Sequence, residues 1–206
     1  MDLKNPSNLI SMISERQSLI TFIKQTMPMS DNIAQLIAGN FEPVSFLKND
    51  FLLKEGTICS EYLFLEKGFM RSYALDTEGN EVTTNFYGSN SIVFEVASYI
   101  KRTSSQENIQ ALTACFGWKG HHTILQELFQ TIPEFRRFVR AVLVNSFIAL
   151  KERTLSMINL TAEKRYELLL KSRQEIIQNA SVKHIASYLG VTDTSLSRIR
   201  KEIAFK

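Results

Sequence analysis

Residues Val182 to Ile203 read VKHIASYLGVTDTSLSRIRKEI, and their pattern predicts the fold of the C-terminal part of the chain. Apolar residues with helical spacing lie on both sides of a single glycine: Ile185, Leu189, Leu196 and Ile199. Gly190 can adopt the positive φ that ends a helix, and Thr192 can cap the helix that follows. The stretch therefore predicts two short helices that pack their apolar residues together as a helix-turn-helix.

The outward face of the second predicted helix is polar and mostly basic. Its residues, with the capping threonine, are Thr192, Asp193, Thr194, Ser195, Ser197, Arg198, Arg200 and Lys201. Such a set suits the major groove of DNA, so we assign base reading to Arg198. The other assignments are base or phosphate contacts for Thr194 and Ser195, and phosphate contacts for Thr192, Arg200 and Lys201. An ordinary helical hairpin is the alternative interpretation of the same pattern.

The charge distribution supports a nucleic-acid contact at this end of the chain. Residues 161–206 contain nine Lys and Arg residues and five Asp and Glu residues, so their net charge is +4. Residues 1–160 contain fifteen and sixteen of these residues, which gives a net charge of −1. A basic module on a nearly neutral body is expected where only the module meets phosphates.

The remaining composition argues against several classes of protein. With 206 residues, of which 44% are hydrophobic, the chain has enough apolar material for an ordinary globular core. No run approaches the ~20 apolar residues of a membrane span, and the N-terminus lacks the apolar core of a signal peptide. We therefore expect a cytoplasmic protein without a membrane partner. No nucleophile-base spacing or phosphate-binding glycine loop appears, so we expect no enzyme.

Metal ligation is not expected from the cysteine and histidine positions. Cys59 and Cys115 are isolated cysteines, without a CxxC motif or a Cys/His ligand spacing. The neighbours His121 and His122 would point about 100° apart on a helix, and His184 lies in the first helix of the helix-turn-helix. We predict no metal site and no cofactor, and we interpret both cysteines as small buried hydrophobic residues.

Upstream, the sequence predicts helices followed by a β-region. Apolar spacing indicates a helix over residues 9–24, and Ser30 can cap a second helix through Ile37. Between residues 42 and 119, short runs rich in Val, Phe, Tyr and Thr alternate with turn residues. The predicted strands are Tyr62 to Leu65, Phe69 to Leu75, Val82 to Tyr87, Ile92 to Phe94, Asn108 to Leu112 and Cys115 to Lys119. We expect successive hairpins that form a small β-barrel or roll.

A long helix is predicted to begin at Pro133 and to run to about Ile158. Between Phe138 and Leu150 it is apolar almost all round, so one packed face cannot bury all its side chains. We expect the β-roll on one side and the same helix of a second subunit on the other. A central core helix in a monomer is the alternative. The candidate dimer-interface residues are Phe135, Phe138, Val139, Val142, Leu143, Asn145, Phe147 and Leu150.

The order of these elements, with KEGTICSEYLFLEKGFMRSY at residues 54–73 and IASYLGVTDTSLSRIRKEI at residues 185–203, resembles the cyclic-AMP receptor protein and fumarate-nitrate regulator (Crp/Fnr) superfamily. The resemblance implies an α+β fold with an N-terminal cyclic-nucleotide-binding-like β-roll, a long dimerisation helix and a C-terminal winged helix-turn-helix domain. The corresponding boundaries are 1–132, 133–160 and 161–206. Few residues follow the recognition helix, so the wing is either truncated or lies upstream within residues 175–181.

The resemblance also implies a function and a ligand site. It implies a bacterial, homodimeric transcription regulator whose partners are double-stranded DNA, RNA polymerase and a small-molecule effector. Cyclic-nucleotide binders of the family carry a Gly-Glu pair for the ribose and, further along, an arginine for the phosphate. Here the pair reads Phe94-Glu95, and Arg102 is the nearest substitute for the arginine. We therefore expect either an unknown effector other than cyclic AMP, in a pocket lined by Phe94, Glu95, Tyr99 and Arg102, or a vestigial pocket.

Two functional hypotheses result from these observations. The first is a sequence-specific DNA-binding regulator, with residues 193–203 as the recognition helix in the major groove. The second is an effector-binding or protein-interaction module with a vestigial DNA-binding end. Asp193 favours the second, because an acidic residue at the tip of the recognition helix repels phosphate unless it accepts a hydrogen bond from cytosine.

Overall fold

The computed structural model describes residues 16–204, and this part of the chain is an α+β fold of nine helices and eight strands. The helices are α1 (Gln17–Thr26), α2 (Asp31–Ala38), α3 (Val96–Lys101), α4 (His122–Thr131), α5 (Pro133–Asn159), α6 (Ala162–Ser172), α7 (Gln174–Asn179), α8 (Val182–Leu189) and α9 (Asp193–Ala204). The strands are β1 (Glu42–Phe46), β2 (Phe51–Leu53), β3 (Glu61–Lys67), β4 (Met70–Leu75), β5 (Glu81–Tyr87), β6 (Ser91–Val93), β7 (Asn108–Ala111) and β8 (Cys115–His121). The predicted fold class is confirmed. Part of the first predicted helix, residues 9–15, lies outside the described residues.

The eight strands form two four-stranded antiparallel sheets, in the orders β1-β8-β3-β6 and β2-β7-β4-β5. The expectation of successive hairpins is therefore wrong for β3 and β4, which follow each other in the chain but belong to different sheets. The reason is that four consecutive residues of β3, from Tyr62 to Leu65, are all buried. A strand that is buried on both faces needs cover on both sides, which a simple hairpin meander does not provide. β4 and β5 do form the expected hairpin.

The main hydrophobic core lies inside the roll and extends to the helices on either side of it. Aromatic side chains connect these parts: the ring centroids of Phe22 on α1 and Phe64 on β3 are 5.0 Å apart. Phe22 also meets Phe138 on α5 edge to face, at 6.1 Å. The first half of α5 is therefore part of the core of its own roll.

Helix α5 has 27 residues, which corresponds to a length of about 40 Å. Within this helix, which is described in full, the buried residues are Phe135, Phe138 and Val142. Their side chains pack in the core of the same chain, so they are unavailable to a partner subunit. The predicted dimer interface is therefore corrected by the removal of these three residues. The exposed large apolar residues of α5 are Val144, Phe147, Ile148, Leu150, Leu155 and Ile158.

The C-terminal helices meet the roll through α8, which packs against β5. A second hydrophobic cluster joins Phe69 and Phe86 of the roll to Leu169, Ile185 and other buried residues of these helices. Ser187 Oγ donates a hydrogen bond to Thr83 Oγ1 at 3.0 Å and accepts one from the Thr83 amide at 3.1 Å. The helix-turn-helix is thus bonded directly to a strand of the roll.

The expectation of wing strands within residues 175–181 is wrong, because most of that segment belongs to helix α7. The part of the chain described after residue 160 contains helices and no strand. Buried Ile176 anchors α7 in the second hydrophobic cluster, which explains its helical conformation. As far as the chain is described, no helix is both long and apolar enough to cross a lipid bilayer.

Candidate nucleic-acid interface

The helix-turn-helix has the predicted glycine and threonine at its corner, and it also has a serine cap that was not predicted. Ser181 Oγ accepts a hydrogen bond from the His184 amide at 3.2 Å and caps α8. Gly190 ends α8 with φ +67°, a left-handed conformation that costs glycine little. Thr192 Oγ1 accepts from the Ser195 amide at 3.2 Å and caps α9.

The predicted apolar contacts between the two helices are confirmed. The side chains that form them are buried: Ile185, Ala186, Leu189, Leu196 and Ile199. Burial of these residues fixes the rotation of α9, because only one of its faces is apolar. The opposite, polar face is therefore directed to solvent.

Two arginines hold the C-terminal end of α8, and the sequence did not single them out. Arg165 donates to the Leu189 carbonyl through Nε at 3.2 Å and through Nη2 at 2.8 Å. Arg153 donates to the Tyr188 carbonyl at 3.1 Å, and its guanidinium lies 4.4 Å from the centroid of the Tyr188 ring. Cations at a helix C-terminus stabilise it, so these arginines position α8 rather than contact DNA.

The predicted DNA-contacting residues divide into two groups. Those that line one shallow surface groove are Asp193, Thr194, Ser197, Arg198 and Lys201, together with Val182 and Lys183 of α8. Thr192, Ser195 and Arg200 are not in this lining, and the Thr192 and Ser195 hydroxyls bond to each other at 2.9 Å. Lys183 was not among the predicted DNA-contacting residues; it lies in the first turn of α8 and adds a second lysine to the groove.

Thr192→Ala should lower the free energy of unfolding by about 1 kcal/mol, because the Ser195 amide loses its cap. Thr194→Ala is the matched control, since the Thr194 hydroxyl is exposed and bonds to the Thr192 hydroxyl instead of capping an amide. Urea unfolding followed by circular dichroism measures both changes. Equal effects of the two substitutions would contradict the assignment of the cap.

The predicted effector residues Glu95 and Arg102 bond to the protein's own backbone. Glu95 caps α3, because its carboxylate accepts hydrogen bonds from the amides of Ala97 at 2.9 Å and Ser98 at 2.6 Å. Arg102 ends α3 with φ +57°, and its guanidinium donates to the Cys59 carbonyl at 2.7 Å. A ribose and a cyclic phosphate would have to displace these hydrogen bonds.

The carboxyl group of Glu107 interacts with that of Glu95. Two carboxyl groups are an unfavourable environment for a phosphate. Burial raises the pKa of Glu107, and the charge of Glu95 raises it further, whereas a hydrogen bond with the Thr84 side chain lowers it. Ser72 and Thr84 form a hydroxyl pair at 2.8 Å on the neighbouring strands β4 and β5. The Arg153 guanidinium also acts on Glu107, and it donates to the Thr84 carbonyl at 3.0 Å.

The predicted effector residues Phe94 and Tyr99 line a cavity of about 260 Å³, whereas Glu95 and Arg102 do not. The cavity is formed by residues of β3, α3, α4 and α5 and by Phe94. The rings of Phe94 and Tyr99 meet edge to face, with centroids 5.4 Å apart. Thus the structure brings together two of the four predicted residues, around an apolar space.

Both cysteines are free thiols in the described structure, and both are buried, as expected. Burial raises the pKa of Cys59 and of Cys115, so both thiols stay protonated near neutral pH. Within residues 16–204, no three His, Cys, Asp or Glu side chains are grouped so that they could hold a metal ion.

Comparisons with known proteins place these features in a family context. Residues 43–131 match the family model described as the cyclic nucleotide-binding domain. Among curated proteins, the chain is 24% identical over 164 residues to the electron transport regulator A of Shewanella oneidensis. That alignment covers 74% of this chain and 64% of the relative, so the chain spans less than two thirds of that protein.

Solved structures with similar folds extend over most of the chain. The structure of FixK2 from Bradyrhizobium japonicum has a TM-score of 0.70 at 17% identity, and the match covers 80% of this chain and 85% of FixK2. A protein from Eubacterium rectale assigned to the Crp/Fnr family of transcriptional regulators has a TM-score of 0.67 at 16% identity, with 86% and 84% covered. At these identities the similarity establishes a shared fold.

Proposed function

Because the chain contains a cyclic nucleotide-binding domain within the fold of Crp/Fnr regulators, we propose that it is a sequence-specific, DNA-binding transcription regulator. The observation that carries this proposal is the polar face of α9. Burial of Leu196 and Ile199 and capping by Thr192 fix the helix so that Arg198 and Lys201 face solvent. An exposed basic helix of this kind suits insertion into a major groove.

The active form in this proposal is a homodimer that pairs through the second half of α5. Large apolar side chains on a helix surface mark an interaction site, and Phe147 and Leu150 are more than half exposed in the protomer. Val139 and Leu143 are partly buried and border the same surface. Asn145 is exposed beside it. A symmetric dimer would present two copies of α9 to major grooves about 34 Å apart on a palindromic site.

The roll acts, in this proposal, as a sensor for an effector other than cyclic AMP. The backbone hydrogen bonds of Glu95 and Arg102 support this view, because both side chains already have partners. Phe94 adds a bulky ring where nucleotide binders of the family have glycine. A calorimetric titration with cyclic AMP should therefore give no heat of binding at millimolar ligand.

The direct test is a gel-shift assay with the full-length protein and fragmented bacterial genomic DNA at low salt. We expect a small set of fragments to be retained in the presence of excess random competitor DNA. Retention of no fragment would instead favour the alternative, an interaction module with a vestigial DNA-binding end.

Lys183→Ala and Lys201→Ala should each reduce the salt dependence of DNA binding. Each phosphate contact contributes about 0.9 to the slope of log K against log salt, so a homodimer should lose about 1.8. Lys48→Ala, an exposed lysine of the roll, is the matched control and should leave the slope unchanged. Fluorescence anisotropy titrations at several salt concentrations measure the slopes. An unchanged slope for both groove lysines would refute their phosphate contacts.

A further inference from the structure

Helix α5 contains a long stretch without an acidic residue. The stretch lies between Glu134 and Glu152, and its basic residues are Arg136, Arg137, Arg140 and Lys151. The net charge of residues 135–151 is therefore +4. Exposed helices are commonly stabilised by acidic and basic residues three or four positions apart, and no such pair can form within this stretch. The middle of α5 thus carries positive charge with no acid of its own to offset it.

Arg140 is the central cation of this stretch, and it is exposed without an ionic partner. Within residues 16–204 it forms no ion pair. Arg137, in contrast, donates a hydrogen bond to the Glu134 carboxylate at 2.9 Å. A guanidinium group has five N–H donors in a planar arrangement, so Arg140 can offer a pair of them to a ligand.

Arg140 lies on the face of α5 through which the proposed dimer pairs. It precedes Phe147 by seven residues, which places the two side chains on the same side of the helix, within about 20° of each other. Val144, an exposed apolar residue between them, follows Arg140 by one helical turn. Arg140 therefore lies at the N-terminal end of the apolar surface that includes Val144 and Phe147.

The proposed dimer brings each Arg140 opposite its own copy. A dimer that reads a palindromic site presents both copies of α9 to one DNA duplex, so the two α5 helices that precede them run in the same direction. In a symmetric interface between parallel helices, a residue close to the two-fold axis faces the same residue of the second subunit. Two arginines in this position repel each other unless an anion lies between them.

We propose that the two Arg140 guanidinium groups of the dimer bind one phosphate group on the two-fold axis. Packed helices have axes about 8–10 Å apart, so both side chains can reach a single ion from opposite sides. Arginine matches phosphate because two parallel N–H groups donate to two of its oxygens. Each subunit supplies half of the donors, so the site is incomplete in the monomer.

The phosphate group in this proposal does not belong to DNA. Arg140 lies nineteen residues before the end of α5 at Asn159, which corresponds to about 28 Å of helix. The groove of α9 residues that is proposed to contact DNA follows that end of the helix. The inference rests on the homodimer of the proposed function, and it adds an anion that stabilises this dimer.

The test measures the dimer dissociation constant of the full-length protein by sedimentation velocity, without DNA, during a titration with inorganic phosphate. At about pH 8 phosphate is mostly doubly charged, and sodium chloride is lowered in step so that the ionic strength stays at about 0.15 M. We expect the dimer dissociation constant to fall about tenfold, the effect of one bound ion at about ten times its own dissociation constant.

Methyl phosphate is titrated in parallel to identify the source of the phosphate group. An equal effect of methyl phosphate supports a site for a phosphate group that belongs to a larger molecule. An effect of inorganic phosphate alone supports a site for the free ion.

Arg140→Gln removes the charge from an exposed position and should not impair folding. We expect this variant to dimerise without phosphate at least as tightly as the native protein, because the repulsion is gone, and to lose the response to phosphate. Lys48→Gln is the control for the loss of an exposed charge outside α5, and it should keep the full response. A native dimer that is insensitive to phosphate, or an undiminished response in Arg140→Gln, overturns the site and leaves the proposed homodimer intact. Absence of a dimer at every phosphate concentration overturns both.

Discussion

Phe147→Glu should convert the protein from a dimer to a monomer at micromolar concentration. Phe147 is 68% exposed in the protomer, and it is the largest exposed side chain in the middle of α5. Loss of a central aromatic contact costs about 2 kcal/mol or more, and a symmetric interface loses it twice. The dimer dissociation constant should thus rise about a thousandfold, as about 4 kcal/mol implies. Sedimentation velocity over a range of concentrations measures the change.

Leu47→Glu provides the matched control for this substitution. Leu47 is 73% exposed, so the same change from a large apolar residue to a carboxylate is made at a similar exposure but on the roll. This variant should remain dimeric. A Phe147→Glu protein that stays dimeric would place the subunit contact elsewhere. If it becomes monomeric, its affinity for a palindromic DNA site should fall to that for a half-site.

Arg198→Ala should abolish most of the preference for the specific DNA site over random DNA. The Arg198 side chain is 77% exposed, and its ion pair with Glu202 spans 3.8 Å at the surface. Exposed pairs of this kind are weak, so the guanidinium can leave Glu202 for a guanine. A bidentate contact to guanine contributes about 1–3 kcal/mol of discrimination per half-site, or about 5- to 150-fold.

The matched control is Arg200→Ala, which removes the same charge from the same helix. Arg200 is exposed but does not line the groove that contains Arg198, so its loss should weaken specific and random DNA binding alike. Competition titrations with the specific site and with random DNA of equal length give, for each variant, the ratio of specific to random affinity. Equal losses on both DNAs for Arg198→Ala would rule out base reading by this residue.

Most local features of the helix-turn-helix could be predicted because neighbouring residues determine them. The caps of Ser181 and Thr192 and the left-handed Gly190 depend on residues at most four positions away. The six predicted strands could be located within about two residues for the same reason, whereas no strand was predicted at β1 or β2. Their pairing could not, since nearly fifty residues of chain separate β3 from its partner β8, and no local pattern specifies that partner.

The candidate effector site was only partly predictable. Phe94 stands where the resemblance implies a glycine, and Glu95 matches the acidic residue of the family, but their side chains serve different purposes in the fold. Glu95 caps a short helix, whereas Phe94 joins Tyr62 and Tyr99 around the cavity. Tyr62 lies more than thirty residues earlier in the chain, and its unpaired hydroxyl becomes apparent only when its surroundings are known.

Local sequence patterns were enough to predict the basic helix α9, the order of the elements and the apolar character of α5, because periodicity and capping depend on neighbouring residues. Tertiary structure decided which arginines remain free: Arg153 and Arg165 hold α8, while Arg198 faces solvent. The packing of the roll buries Phe135 and Phe138 in its core, whereas Phe147 on the same helix stays 68% exposed. In each case, side chains of the same type have different roles because folding brings them next to different carbonyl groups and aromatic rings from distant parts of the chain.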